Sequence, residues 1–137
     1  MIERFNLRVY GILVRKGKLL LSEEQYLGKT LVKFPGGGVE YGEGVQEALV
    51  REWNEEAGCP IKINSIFHAT DKFIQSAFDP KDQLVSLYYI ISSDEDVNDS
   101  LAEHKFFWVD LNHKNATTLT FPQDSEVFRL VCDTYGH

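Results

Sequence analysis

The 137 residues include 21 acidic and 14 basic side chains, which give a formal charge of −7, and 43% of the residues are hydrophobic. The hydrophobic fraction argues against a mainly disordered chain. The acidity disfavours binding to long nucleic acid, because the protein has few basic side chains that could replace the counterions of a phosphate backbone. One domain over residues 1–137 is therefore predicted.

The cysteines and the N-terminus indicate the compartment. Cys59 and Cys132 have neither disulfide-framework nor zinc-site spacing, which fits a reducing environment. The first residues lack a basic start followed by an apolar run, so no signal peptide is expected. No apolar stretch approaches the length of a membrane span. A cytoplasmic protein without membrane attachment is predicted.

Short strands and two helices are predicted along the chain. The strands are expected over residues 6–14, from 19–21 onward, and over 31–34, 61–69, 84–91 and 106–109. A turn is expected at 16–18, a polar loop over 25–30, an irregular glycine loop at 36–38 and an acidic loop over 92–100. The strand over 84–91 is apolar enough to be central and buried on both faces.

The helices are expected over residues 43–57 and 122–135. The second of them should pack through Val127, Leu130 and Val131. Strands with one helix in the middle and one at the end predict an α/β fold, in which helices cover the faces of a mixed sheet.

The helix over 43–57 places glutamates where apolar side chains are expected. Glu52 lies in the middle of the apolar stripe, with Glu56 about 40° to one side and Glu55 about 60° to the other. The stripe consists of Val45, Ala48, Leu49 and Trp53, and the opposite side carries Gln46, Glu47, Asn54 and Ala57. Solvation alone explains Glu47 well but Glu52 poorly. Mutual repulsion, partial burial and the helix dipole all oppose the cluster, and a hard cation such as Mg²⁺ would relieve all three.

The residues in front of this helix complete a longer pattern. Gly36-Gly37-Gly38 can bring bare backbone close to a ligand. With U a bulky apolar residue, the spacing G-x5-E-x7-R-E-U-x-E-E-x-G-U is filled by Gly37, Glu43, Arg51, Glu52, Trp53, Glu55, Glu56, Gly58 and Cys59. This pattern resembles the Nudix box. The resemblance implies a Nudix-type α/β/α sandwich around a mixed β-sheet.

The resemblance also implies a site. Glu52, Glu55 and Glu56 look like metal-binding carboxylates, and the Gly37 carbonyl resembles a backbone ligand. Arg51 looks structural, with Glu47 and Glu55 both at pairing distance along the helix, and a structural role is also expected for Glu43. Family members often use one more glutamate from a late loop. Of Glu95 and Glu103, we favour Glu103 because it directly precedes a predicted strand. Either Glu52 or Glu103 is expected to act as general base.

The implied activity is hydrolysis of a phosphoanhydride bond in a nucleoside diphosphate derivative, either a nucleoside triphosphate or a nucleotide sugar. Mg²⁺ is the expected cofactor, with Mn²⁺ as an alternative. The substrate-binding residues are unknown. The aromatic candidates are Tyr26, Phe73, Phe78 and Tyr88, and Lys33 is a candidate for a phosphate contact.

Three rival functions and a homodimer are also compatible with the resemblance. A non-catalytic Nudix domain used as a ligand sensor or interaction module is the main alternative, but such domains usually lose box glutamates, and this chain keeps them. RNA decapping is disfavoured by the net charge of −7. Isomerisation would need acid and base groups that the sequence does not identify.

Overall fold

The computed structural model describes residues 1–98 and 104–136. Its strands are β1 (Arg4–Ile12), β2 (Val14–Arg15), β3 (Lys18–Tyr26), β4 (Lys29–Lys33), β5 (Gly36–Gly38), β6 (Lys62–Ala69), β7 (Asp82–Ser92) and β8 (Lys105–Asp110). Its helices are α1 (Val45–Ala57) and α2 (Pro122–Tyr135), and a 3₁₀ helix spans His113–Thr118.

The strands form two sheets. The first has the order β5-β1-β7-β6, in which β1 and β7 are parallel and the other neighbours are antiparallel. In the second, β3 pairs with β8 along one edge and with β2 and β4 along the other, always antiparallel. The first sheet is therefore mixed, as predicted.

Alternating strand residues face two separate apolar layers. In β3, Leu19 and Leu21 belong to the layer that contains α2, whereas Leu20 belongs to the layer that contains α1. The α1 layer buries Ala48, Leu49 and Trp53, and the α2 layer buries Val127, Phe128 and Val131. Helices thus cover both sides of the strands, and the predicted α/β fold is confirmed.

The glycine run is a strand, so the prediction of an irregular loop was wrong. Gly36, Gly37 and Gly38 pair antiparallel with Tyr10, Val9 and Arg8 of β1. Gly36 has φ 154°, and a Cβ on this residue would lie 2.1 Å from the Val9 carbonyl oxygen. The backbones approach so closely that only glycine fits at that position, which explains a strand built from a residue of low strand propensity.

The segment 25–30 is a hairpin rather than a polar loop. Strand β3 continues to Tyr26, β4 begins at Lys29, and Gln25 pairs with Thr30. Leu27 and Gly28 both have positive φ, at 51° and 75°, which suits the two-residue turn that joins twisted antiparallel strands. The polar side chains belong to a strand pair that extends beyond the core.

Several other details differ from the predictions. Helix α1 begins at Val45 instead of residue 43, and Ala57 is buried rather than solvated. Strand β7 is central but only partly buried along most of its length. In α2, Leu130 is 39% exposed, because the buried side lies along Val127, Phe128, Val131 and Cys132, which recur at helical spacing.

Two observations concern the predicted compartment. No helix among the described residues is long and apolar enough to cross a membrane. Cys59 and Cys132 are both free and buried. A cytoplasmic location stays a prediction.

Candidate active site

The carboxylate of Glu52 lies directly over the backbone of Gly37. A Cβ built on Gly37 would lie 2.5 Å from the Glu52 carboxyl carbon and 2.6 and 2.7 Å from its two oxygens. The Glu52 side chain is only 12% exposed. Pairing of β5 with β1, together with packing of α1 on the same layer, therefore brings two of the predicted metal-binding residues into contact.

Arg51 connects the glycine strand, the loop and the helix. Its Nε and Nη2 donate to the two oxygens of Glu43 at 3.0 and 2.7 Å, and Nη2 also donates to the Gly38 carbonyl at 3.1 Å. Its Nη1 lies 3.1 Å from Glu52 and 3.2 Å from Glu55. Glu43 lies before α1, and its carboxylate forms this bidentate contact with Arg51 instead of contacting the first turn of the helix.

The electrostatics agree with this geometry. Hydrogen bonds from Arg51, followed by one from the Glu40 backbone, lower the pKa of Glu43 to about 2. The Glu43 carboxylate in turn raises the pKa of Arg51 above its ordinary value. Glu47, the other glutamate at pairing distance in the sequence, instead accepts a hydrogen bond from the Gly44 backbone at 2.8 Å and caps the helix.

The remaining glutamates of α1 differ in their surroundings. The Glu56 side chain is 24% exposed, and burial, followed by the negative charge of Glu52, raises its pKa to about 8. Glu55 is 59% exposed and is held by Arg51. The structure therefore places Glu52 and Glu56 together on the inner side and Glu55 at the solvent edge.

Three further side chains, which the sequence did not single out as a group, form a series of contacts that ends at Glu56. His104 Nδ1 lies 3.1 Å from Glu56 Oε2, and His104 Nε2 lies 2.7 Å from Glu24 Oε2. Lys33 Nζ lies 2.9 Å from Glu24 Oε1. Lys33 is 8% exposed, so it is not the surface lysine that its polar character suggests. No local spacing could reveal this group, because its members come from different elements.

The inner site fits a hard divalent cation by its donor chemistry. Within residues 1–98 and 104–136, no three His, Cys, Asp or Glu side chains form a ready-made metal site. However, Glu52 offers carboxylate oxygens over the Gly37 backbone, and Glu56 lies beside Glu52. The raised pKa of Glu56 reflects its burial first and then the negative charge of Glu52, and a bound cation would offset both. Glu52, Glu56 and the Gly37 carbonyl would hold the ion, with Glu55 at the edge.

The structure does not decide which glutamate acts as general base. Glu103 lies outside the described residues. Glu95 is exposed, and its backbone carbonyl accepts hydrogen bonds from Arg15 and from the Cys59 thiol. Glu52 and Glu103 both stay predicted candidates.

A cavity of about 760 Å³ lies beside this group of charges, and both Glu24 and Lys33 line it. Its wall includes Tyr26 and Phe78, whose rings meet edge to face with centroids 4.9 Å apart. Phe73 also lines the cavity and is 61% exposed. These three aromatic candidates therefore lie where a ligand could reach them, in the cavity that Glu24 and Lys33 also line.

Tyr88, the fourth aromatic candidate, also lines the cavity, but it belongs to the buried core. It is 1% exposed, and its hydroxyl donates to Asp124 Oδ1 at 2.6 Å. Burial, followed by the nearby Asp124 charge, raises the pKa of Tyr88. Asp124 is itself 3% exposed and lines the cavity, and burial raises its pKa to about 6 from an ordinary value of 3.8.

This raised pKa predicts that Asp124 makes the fold less stable as the pH rises. Between pH 3.8 and about 6 the folded state keeps a proton on Asp124 that the unfolded state releases. The free energy of unfolding should therefore decrease as the pH rises through this range. The loss should be roughly 2–3 kcal/mol. Asp124→Asn keeps an acceptor for Tyr88 and should not show this loss. Urea unfolding of both proteins between pH 4 and 7 measures the difference, and parallel pH profiles would contradict the prediction.

Comparison with known proteins agrees with the fold and with the family that the sequence resembles. The model of the NUDIX domain family matches residues 4–131. An ADP-ribose pyrophosphatase of Methanocaldococcus jannaschii is 34% identical over 112 residues, which cover 77% of this chain. The chain spans 62% of the length of that curated relative.

Solved structures agree with the architecture. A MutT protein from Methanosarcina mazei superposes with a TM-score of 0.76 at 19% identity, covering 98% of this chain and 96% of the other. An ADP-ribose pyrophosphatase from Streptococcus suis gives 0.69 at 18% identity, covering 94% and 90%. At these identities the likeness concerns the fold alone. Since the family model spans nearly the whole sequence, the chain belongs to the NUDIX domain family.

Proposed function

We propose that this chain is a Nudix hydrolase that cuts a phosphoanhydride bond in a nucleoside diphosphate derivative, with Mg²⁺ or Mn²⁺ as cofactor. The observation that carries the proposal is the pair of inner carboxylates, Glu52 on the Gly37 backbone and Glu56 beside it. His104 and Glu24 connect this pair to an aromatic-lined cavity. The cavity offers apolar surface for a nucleoside, and the carboxylates offer oxygen ligands for the cation that accompanies its phosphates.

Each side chain of the site has a distinct proposed role in hydrolysis. When bound, the cation would supply Lewis-acid polarisation of the phosphoryl oxygens. Arg51 keeps Glu52 against the glycine strand, which fixes the carboxylate before the substrate arrives. Glu52 or Glu103 would take the proton from the attacking water. Lys33, which lines the cavity, would stabilise negative charge on a phosphate.

A substrate panel tests this proposal. ADP-ribose and nucleotide sugars should be compared with nucleoside triphosphates, each with Mg²⁺ and with Mn²⁺, and the products identified by mass. The similarity to an ADP-ribose pyrophosphatase favours a nucleoside diphosphate joined to a sugar. Metal-dependent release of a nucleoside monophosphate would support hydrolysis. Tight binding of a nucleotide without turnover would instead favour a non-catalytic ligand-sensing module.

The aromatic wall predicts a specific loss of substrate affinity. Phe78→Ala should raise KM about tenfold, since stacking of a base on an aromatic ring contributes about 1–3 kcal/mol. Its effect on kcat should be small, because Phe78 contacts other rings of the cavity wall rather than the carboxylates. Phe5→Ala is a matched control, because Phe5 is 74% exposed and does not line the cavity. Steady-state kinetics distinguish them, and equal KM values for both variants would contradict a role in binding.

A further inference from the structure

A line of four side chains connects the cavity wall with the inner end of the active site. Lys33 of β4 contacts Glu24 of β3, Glu24 contacts His104 just before β8, and His104 contacts Glu56 of α1. All three separations are between 2.7 and 3.1 Å. We propose that His104 is a positioning residue, which holds the Glu56 carboxylate ready for a divalent cation, while Glu24, itself held by Lys33, anchors the imidazole. This inference rests on the proposed function.

The first support is an unsatisfied nitrogen. Among the residues that the structure describes, only Trp53 Nε1 and His104 Nδ1 are buried side-chain nitrogens without a hydrogen-bond partner. Buried polar atoms are seldom left unpaired. Glu56 Oε2 is within 3.1 Å of His104 Nδ1 but is not aligned as a hydrogen bond. A rotation of the Glu56 carboxylate that completes this bond also fixes the direction of its second oxygen.

The second support is the anchoring of the ring from its other side. One carboxylate oxygen of Glu24 contacts His104 Nε2, and the other contacts the Lys33 ammonium. The His104, Glu24 and Lys33 side chains are only 11, 18 and 10% exposed, so solvent screens these contacts little. The imidazole is therefore fixed in the core before any ligand binds. Groups that orient a metal-binding carboxylate typically change metal affinity by about 10–100-fold when they are removed.

A pair of amide substitutions can separate the two ring nitrogens. In His104→Asn, the amide nitrogen takes roughly the position of Nδ1 and can still reach Glu56. In His104→Gln, the amide nitrogen takes roughly the position of Nε2 and can reach only Glu24. His113→Asn is the matched control, because His113 forms a similar pair with Asp133 at 2.6 Å on the exposed surface.

The experiment measures binding of Mn²⁺ alone by electron paramagnetic resonance, without nucleotide, alongside thermal unfolding and the Mg²⁺ dependence of kcat. His104→Gln and His104→Ala should bind Mn²⁺ about tenfold more weakly or worse. His104→Asn should remain close to the unsubstituted protein, and His113→Asn should match it. At saturating Mg²⁺, kcat of the Gln variant should recover, which a collapsed fold would not permit.

The outcomes separate this inference from the proposed function. Equal Mn²⁺ affinity in the unsubstituted protein and all three His104 variants overturns the inference alone, as does an Asn variant as weak as the Gln variant. If His104→Ala unfolds, the comparison of Asn with Gln decides by the same criterion. Absence of Mn²⁺ binding and of turnover in the unsubstituted protein overturns both proposals.

Discussion

Replacing Glu52 with Gln is expected to lower kcat/KM by about 10³-fold or more while leaving the fold intact. Glu52 is the most enclosed carboxylate of the helix, and it lies on the Gly37 backbone beside Glu56. The substitution removes its charge, and with it a ligand for the cation and a candidate proton acceptor. A glutamine oxygen can still accept the hydrogen bond from Arg51, so the local structure should persist.

Glu47→Gln is the control for this prediction. It makes the same chemical change on the same helix, and glutamine can still accept the hydrogen bond from the Gly44 backbone. Its kcat/KM and its thermal unfolding midpoint should match those of the unsubstituted protein. Metal-dependent activity of the Glu52 variant within tenfold of normal would remove Glu52 from the reaction and leave Glu56 and Glu103 as the groups to test.

The inner glutamates could be predicted because their arrangement is local. Residues three and four apart on a helix share a side, so the spacing of Glu52, Glu55 and Glu56 was enough to suggest one cluster. The spacing could not show which of these glutamates face the interior and which face solvent. Packing of Ala57 against the core turns Glu56 inward, while Arg51 holds Glu55 at the solvent edge. That division depends on the rotation of the helix against the sheet.

The group around His104 could not be predicted for a different reason. Glu24 and His104 are 80 residues apart in sequence, and they meet because β3 and β8 are neighbours in the second sheet. Lys33 reaches the same carboxylate from β4 across the hairpin. Such contacts depend on strand order and register, which a single sequence does not specify. In the sequence, Lys33 was only a candidate for a phosphate contact, and Glu24 and His104 looked like ordinary polar side chains.

The glycine run illustrates a third kind of difference. Its composition predicted an irregular loop, because glycine has a low strand propensity. Hydrogen bonds to β1 nevertheless hold the run in a strand. The physical reason that glycine is required differs between positions 36 and 37. Gly36 is constrained by its φ and by the β1 backbone, whereas Gly37 is constrained by the Glu52 side chain above it. This difference makes Gly37 a direct test of how the glycine strand serves the active site.

Replacing Gly37 with Ala should lower kcat/KM about 100-fold, because displacement of a reactive group by about 1 Å can cost that much. The new methyl group would occupy space within 2.5–2.7 Å of the Glu52 carboxylate. The carboxylate is the end of a flexible side chain and can move away, so the expected damage is to its position rather than to the fold. Thermal unfolding should change little, and Mn²⁺ affinity should fall together with activity.

The neighbouring Gly38→Ala is the matched control. A methyl group there would meet only Arg8 Nη1 at 3.5 Å, which is an ordinary van der Waals contact. Both substitutions make the same change in the same short strand, so any effect on strand propensity is shared. Kinetics of the two variants therefore isolate the contact between Gly37 and Glu52. If Gly38→Ala lost as much activity as Gly37→Ala, the loss would come from the strand backbone, and the close approach of Glu52 would not be what requires glycine at position 37.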